Sequence, residues 1–472
     1  MFLTVSRIFL LFLLSIIFYF CAVYQIEKYF GLALNTFDLG YFQNLLFNSI
    51  NGDYFFTSLY HWNELPNANF NSIGDHLFLL LPLFLPICFF SINPLILNFV
   101  HIFLMLTAIY LVFEIAYAIF KDYKIAFLIT ALSLFNNYFL YIIAGEFHFE
   151  YYFIIIFLSA MFFLIKKKYK LSYILFAMMM LIKETMLPAV FLIFIVLFLK
   201  TSRKIFLFFS LISLIYFFIG VFYIMPKFRN DAETLKPEYT RRYSDLIENP
   251  DNNLILEILQ NPQKLLKKIL SSENLKYYSE QYKKFLFLPI FSIINYCAVP
   301  TILINALSSS EFQKNAVYHY DAEVLVILIT AFIFIIYKFQ IIVKSKKIVW
   351  LILLPLIIIN IYFSLQNNPW TAPKYHFATK KKLSPRYFQE IKKIPESAAV
   401  AVDERSGVYF AYKKKIEYLD YSKNADISAD YIVFYYENNK TPNYYEYYYK
   451  ILTSSKYKIY YQSNDFYILQ KK

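Results

Sequence analysis

At 472 residues, 59% hydrophobic and 21% aromatic, with a mean hydropathy of +0.45, the chain is too apolar for a soluble globular fold. Its net charge of +13 does not point to nucleic acid, because many of the cations sit in short clusters between apolar blocks, where the positive-inside rule puts them. The three cysteines each lie alone in an apolar stretch, which excludes a disulfide framework or a thiolate zinc site.

The apolar residues gather in runs long enough to cross a hydrocarbon layer, which takes roughly 20 residues of helix. An outer-membrane barrel would instead alternate apolar and polar residues. The sequence therefore predicts an α-helical polytopic membrane protein. Arg7 precedes the run Ile8–Val23, which lacks a small-x-small cleavage site and reads as an uncleaved first span with its N-terminus inside. It delivers an outer loop, residues 25–94, that holds Asp38, Asp53, His61, Glu64, Asp75 and His76. Within it, His76 opens a run to Phe90 interrupted by Pro82 and Pro86, expected to lie half sunk in the interface.

Leu95–Phe120 reads as a full span ending at Lys121 and Lys124, and Phe127–Ile143 returns outward to Glu146-Phe147-His148-Phe149-Glu150. Tyr152–Ile165 crosses to the basic cluster Lys166–Lys170. Two brief spans, Leu171–Ile182 and Met186–Leu199, flank Lys183-Glu184, and Lys200, Arg203 and Lys204 mark the cytoplasm again. Ile205–Met225 exits to a polar segment, 226–284, containing Arg241 and Arg242. Phe285–Val299 and Pro300–Ser308 read as short or broken helices around Pro300. Tyr318-His319-Tyr320-Asp321 lies outside, and Leu325–Tyr337 and Val349–Leu365 are the last two spans. The count is about eleven, with the basic clusters of the short loops all on one side.

Residues 366–472 are polar and long enough for a small outer domain beside the membrane part, 1–365. Ala398–Val402, Ile416–Leu419 and Tyr431–Tyr435 read as strands, Tyr444–Leu452 as a helix, and Lys456–Gln462 with Phe466–Gln470 as a hairpin. This predicts a small α/β fold. It lacks a phosphate-binding glycine loop.

Outside the basic clusters, ionisable residues concentrate on the expected outer face, which points to a cavity at that membrane surface. Asp38 precedes an amphipathic turn (Leu39, Phe42, Leu45, Leu46), so it reads either as a helix cap or as a functional carboxylate. Glu146, His148 and Glu150 combine carboxylates with an imidazole, which suits a divalent metal, an acid–base site or merely a solvated loop. Lys183 and Glu184 form either an ion pair at a turn or a point charge for a phosphate. Arg241 and Arg242 either clamp a phosphate or touch lipid headgroups. His76, Glu146, His148 and Glu150 are the candidate ligands should a metal be bound.

The ordered set Asn35–Asn48, Gly74-Asp75-His76, Glu146–Glu150, Lys183-Glu184, Arg242-Tyr243-Ser244, His319-Tyr320 and Ile394–Ala398 resembles a prokaryotic family of predicted multi-spanning membrane proteins of unknown function. More distantly, the layout is similar to the GT-C glycosyltransferases, such as protein mannosyltransferases and the aminoarabinose transferases of lipid A. That resemblance implies sugar transfer from a polyprenyl-phosphate donor on the outer face of a prokaryotic plasma membrane. It carries over Asp38 as general base or acceptor-orienting residue, with Glu146 or His148 matching a second-loop acidic position. His76, Lys183, Glu184, Arg241, Arg242 and His319 then become candidate substrate-binding residues. The chain departs from the pattern in having a lone Asp and a second loop that contains histidine. The rival readings are a transporter or flippase for a lipid-linked or anionic substrate, and a non-enzymatic envelope-assembly protein. A transporter predicts an inverted repeat and midplane charges, whereas the sequence offers no evident repeat and few such charges.

Overall fold

The structure is a computed structural model that describes residues 2–59, 70–228, 242–246, 260–315, 318–371, 385–419, 427–436, 442–463 and 465–472. Six of its helical stretches are long and apolar enough to cross a membrane: Phe2–Phe30, Pro94–Phe120, Glu184–Thr201, Lys204–Phe228, His319–Val343 and Lys346–Thr371. A seventh forms if the pair Tyr123–Leu134 and Asn137–Ile143, bent by 73°, counts as one span. Shorter apolar helices are Leu81–Phe90, Phe149–Ile165, Tyr169–Met179 and Ile293–Leu307.

Helix α1 (Phe2–Phe30) packs along α2 (Pro94–Phe120), with Arg7 gripping Glu114 through two bonds of 2.6 Å near one end. At that same end of the bundle, Lys346 bonds Asp122 at 2.8 Å. Apolar side chains face outward as well as inward: Phe12, Phe222, Leu351 and Ile358 are exposed on helices whose other faces are packed. An all-round apolar helix bundle is what lipid solvates, so this is a membrane protein in contact with membrane lipids.

The breaks have local causes. The bent pair turns at Asn136, whose side chain caps the second helix through Tyr138 N–H. Ser364 Oγ donates to the Phe135 carbonyl freed there, at 2.5 Å. Around Pro300 the break falls earlier than the sequence predicts. Short 3₁₀ turns cover Leu288–Phe291 and Ile293–Ala298, and α3 (Val299–Leu307) then carries Pro300 in its first turn, where proline costs no hydrogen bond. The stretch after His76 forms a 3₁₀ turn and a short helix (Leu85–Phe90) with Leu83, Phe89 and Phe90 exposed, in keeping with an interfacial position.

The C-terminal sheet has five strands: β1 (Val400–Val402), β2 (Ile416–Tyr418), β3 (Tyr431–Tyr435), β4 (Tyr457–Ser463) and β5 (Phe466–Lys471). Their order is β2-β1-β3-β5-β4, parallel among the first three and antiparallel from β3 onward. Both faces are covered, which is why β3 is apolar throughout. Tyr431, Val433 and Tyr435 meet Tyr387 and Ile391 of α4 (Pro385–Lys393), while Ile432 and Phe434 meet Tyr444 and Tyr448 of α5 (Pro442–Leu452). The first face also takes in Leu32 and Leu59, so the sheet is packed directly onto the segment that follows α1. Tyr409 Oη donates to the Tyr29 carbonyl, and Arg405 to that of Leu32 at 3.2 Å.

Candidate functional site

Past α1 the backbone turns through a five-residue π-helical coil, Thr36–Gly40, before a helix at Tyr41–Ile50. Asn35 caps this coil, its Oδ1 accepting from Phe37 N–H at 2.9 Å. Asp38 is therefore not the cap. It sits in the coil's first turn, where a carboxylate is favoured by the helix dipole, and Asn35 Nδ2 donates to its Oδ2 at 2.6 Å. The helix that follows was expected to show one wet face. It is instead buried, because Asn44 Nδ2 donates to the Ala411 carbonyl at 2.8 Å below the C-terminal sheet.

Glu146 faces the same turn for a different purpose. It accepts from Asn35 N–H at 2.6 Å and pairs with Lys28, both side chains buried. A chain of amides continues the frame. Gln25 Nε2 reaches the Ala144 and Gly145 carbonyls at 2.6 and 2.8 Å, Asn98 Nδ2 reaches Gln25 Oε1 at 3.0 Å, and Phe147 N–H reaches Asn98 Oδ1 at 2.8 Å. These bonds fix the loop on which His148 stands in extended conformation.

His148 Nε2 lies 3.8 Å from Asp38 Oδ1. Its ring stacks on His319 with centroids 3.5 Å apart and planes 12° apart, and Phe42 meets its edge at 5.1 Å. Burial, and then the neighbouring His319, push the His148 imidazolium well below its ordinary pKa. His319 Nε2 in turn lies 3.8 Å from Glu150 Oε1, and Glu150 pairs with Lys183 in a fully packed setting.

Lys183 and Glu184, neighbours in sequence, bond to different partners. Glu184 takes His76 Nδ1 at 2.8 Å and Leu77 N–H at 2.9 Å, tying the loop after Gly74 to the start of its own helix. His76 is thus turned toward Glu184 and, at 3.8 Å, Asp75. Arg242 lays its guanidinium over the Tyr320 ring at 5.5 Å, and its carbonyl is held by Ser309 N–H at 2.6 Å. Arg241 lies outside the described residues, as do His61 and Glu64.

A small cleft opens among Glu150, Lys183, Arg242, Thr301, Tyr320 and Glu323. Asp38, His148, His319, Glu150, Lys183 and Arg242 thus form one connected neighbourhood at the end of the bundle covered by the sheet, while Glu146, His76 and Glu184 brace its walls. Of the four candidate metal ligands, His148 alone belongs to a convergent donor group, because Glu146, Glu150 and His76 each face another partner. Glu323, which accepts from Thr301 Oγ1 at 2.6 Å, was not singled out from the sequence. Its signal was a lone carboxylate just inside an apolar run. Asn35 and Thr301 gave no signal of their own.

Residues 28–468 match a family described as predicted membrane protein (DUF2079), and the chain belongs to that family. No curated protein matches the chain.

Proposed function

We propose that this chain is a membrane glycosyltransferase of GT-C type that moves a sugar from a polyprenyl-phosphate donor to an acceptor. The observation that carries the reading is that Asp38 connects, through the stacked rings of His148 and His319, to Glu150 of a cleft that also presents Lys183 and Arg242. Such a site has the parts the reaction needs. The acceptor hydroxyl gives its proton to Asp38 as its oxygen bonds the sugar's anomeric carbon. The bond from that carbon to the phosphate oxygen breaks, and the departing phosphate takes its compensating charge from Lys183 and Arg242. His319 and Tyr320 form the wall between the two halves.

In this reading the site faces the outside of a prokaryotic plasma membrane, with the N-terminus cytoplasmic. Residues 1–365 form the membrane part, and 366–472 form an extracytoplasmic α/β domain. The bent pair and the shorter helices Phe149–Ile165, Tyr169–Met179 and Ile293–Leu307 supply further crossings beside the six long ones. The basic clusters at Lys121–Lys124 and Lys346–Lys347 gather at the end of the bundle opposite the cleft, which supports this orientation.

The test is transfer of labelled sugar from polyprenyl-phosphate donors by the full-length protein in proteoliposomes. Asp38→Asn is expected to lose at least a hundredfold in rate while inserting normally. Full activity in that variant, or none from wild type with any such donor, overturns the proposal. Movement of an intact lipid-linked sugar without transfer would identify a carrier instead.

A further inference from the structure

One carboxylate oxygen of Asp38 and one ring nitrogen each of His148 and His319 lie within 4.8 Å of one another. We propose that these three side chains hold a divalent transition-metal ion of zinc-like character. The donors come from three remote parts of the chain, so their convergence is a product of the fold and not of local sequence. Two imidazoles and one carboxylate form a mixed nitrogen–oxygen set that suits zinc, cobalt or manganese better than magnesium or calcium. Three protein ligands with a further position left for water or substrate is the pattern of a working zinc site.

The surroundings fit. Rings stacked 3.5 Å apart cannot both carry a positive charge at low cost, and neutral imidazole is the form that ligates. His148 is buried, and the ring nitrogen it turns toward Asp38 Oδ1 is Nε2, at 3.8 Å, a separation too long for a hydrogen bond and open to a bridging ion. Asn35 orients the carboxylate from behind, the usual second layer around a metal ligand. Ligands about 2.1 Å from a zinc ion stand roughly 3.4 Å apart at tetrahedral angles. The 3.8 Å between Asp38 Oδ1 and His148 Nε2 is within a few tenths of that. Closing the set asks the two stacked rings to splay so that both lone pairs meet at one centre.

Charge gives an independent reason. Among the described residues, Asp38 and the cleft carboxylates Glu150 and Glu323 stand near two cations, Lys183 and Arg242. Whether or not Glu323 carries its proton, these five groups sum to neutral or negative, so Lys183 and Arg242 meet a phosphate's charge only in part. A divalent cation between Asp38 and the histidines reverses the sign. Holding the ion does not depend on sugar transfer, whereas its service to a phosphate rests on the proposed function.

The experiment uses the full-length protein in detergent, stripped with a chelator and titrated with Zn²⁺ and with Co²⁺. One ion per chain is expected, with Co²⁺ giving visible absorption bands of nitrogen and oxygen coordination. Affinity should fall at least tenfold in Asp38→Ala, His148→Ala and His319→Ala and persist in His76→Ala, with gel-filtration volume tracking the fold. Wild type that takes up neither ion, or equal loss in His76→Ala, overturns the site. If a ligand variant does not fold, the wild-type Co²⁺ spectrum decides alone. Metal bound without any sugar transfer would sink the transferase and leave the site standing. Undiminished transfer by stripped protein would remove the ion from the reaction.

Discussion

Asn35 holds Asp38 by a side-chain bond of 2.6 Å from within the turn that Asn35 itself caps. One amide thus sets both the start of the coil and the direction of the carboxylate. Asn35→Ala removes both, and loss of a cap costs about 1 kcal/mol. Thermal unfolding in detergent should register that modest loss, while sugar transfer falls well over tenfold. Unchanged transfer in a folded Asn35→Ala protein would show that Asp38 needs no guide.

Gly407 lies so close to Thr36 that an added Cβ would stand 2.3 Å from Cγ2 and 2.7 Å from Oγ1. Gly407→Ala should therefore push the Asp38 turn away from the sheet at an overpacking cost of about 1–3 kcal/mol. Thr36→Ala in the same chain removes the two closest atoms and should recover most of the stability. Melting temperatures of the two single variants and the double variant measure this coupling, and simple additivity would refute it.

The Lys183–Glu150 pair is buried on both sides, each side chain only 4% exposed. Lys183→Met strands a buried carboxylate, a change that typically costs about 3–5 kcal/mol. Lys183→Met with Glu150→Gln should regain much of that stability yet remain inactive, because the cation facing the phosphate is still missing. An active double variant would reduce Lys183 to a structural counter-ion.

Asp403 begins the turn after β1 and accepts N–H bonds from Ser406 and Tyr435, both at 2.8 Å. Burial nevertheless pushes its carboxyl up from 3.8 to about 6. The folded chain therefore keeps a proton that the unfolded chain releases, so its stabilising contribution is full below pH 4 and is lost as pH rises through 6. About two units correspond to roughly 3 kcal/mol. Unfolding of wild type and of Asp403→Asn, followed from pH 4 to 7, should differ in slope across that window. Parallel profiles would contradict it.

Sidedness can be read by labelling. Cys21, Cys88 and Cys297 are all buried, so added cysteines report alone. Lys168→Cys and Ser455→Cys, both at exposed positions, should react with an impermeant maleimide from opposite sides of sealed cells, Ser455→Cys from outside. Labelling of both from one side would reverse the proposed orientation.

The long apolar helices and every strand of the C-terminal sheet were readable in the sequence, because periodicity and turn residues are local signals. The strand Tyr431–Tyr435 was even bounded correctly, its unbroken apolar run reflecting a sheet covered on both faces. Partnerships were not readable. Glu146, His148 and Glu150 lie within five residues, yet they face Lys28, His319 and Lys183, and no local pattern encodes such distant choices. The capping alternative for Asp38 fell because the cap stands three residues earlier, at the head of a coil wider than an α-helix. The helix breaks at Asn136 and before Val299 depended on side chains from elsewhere or on prolines whose exact role only packing decides.

The turn that carries Asp38 is finished by residues synthesised hundreds of positions after it. Arg405 reaches back across 373 positions to the Leu32 carbonyl, and the ring of Tyr418 stands against that of Phe37 at 4.8 Å. Synthesis runs from the N-terminus, and the helices enter the membrane long before the sheet exists. A chain stalled before Arg405 therefore holds its membrane segments without the contacts that brace the Asp38 turn from the sheet.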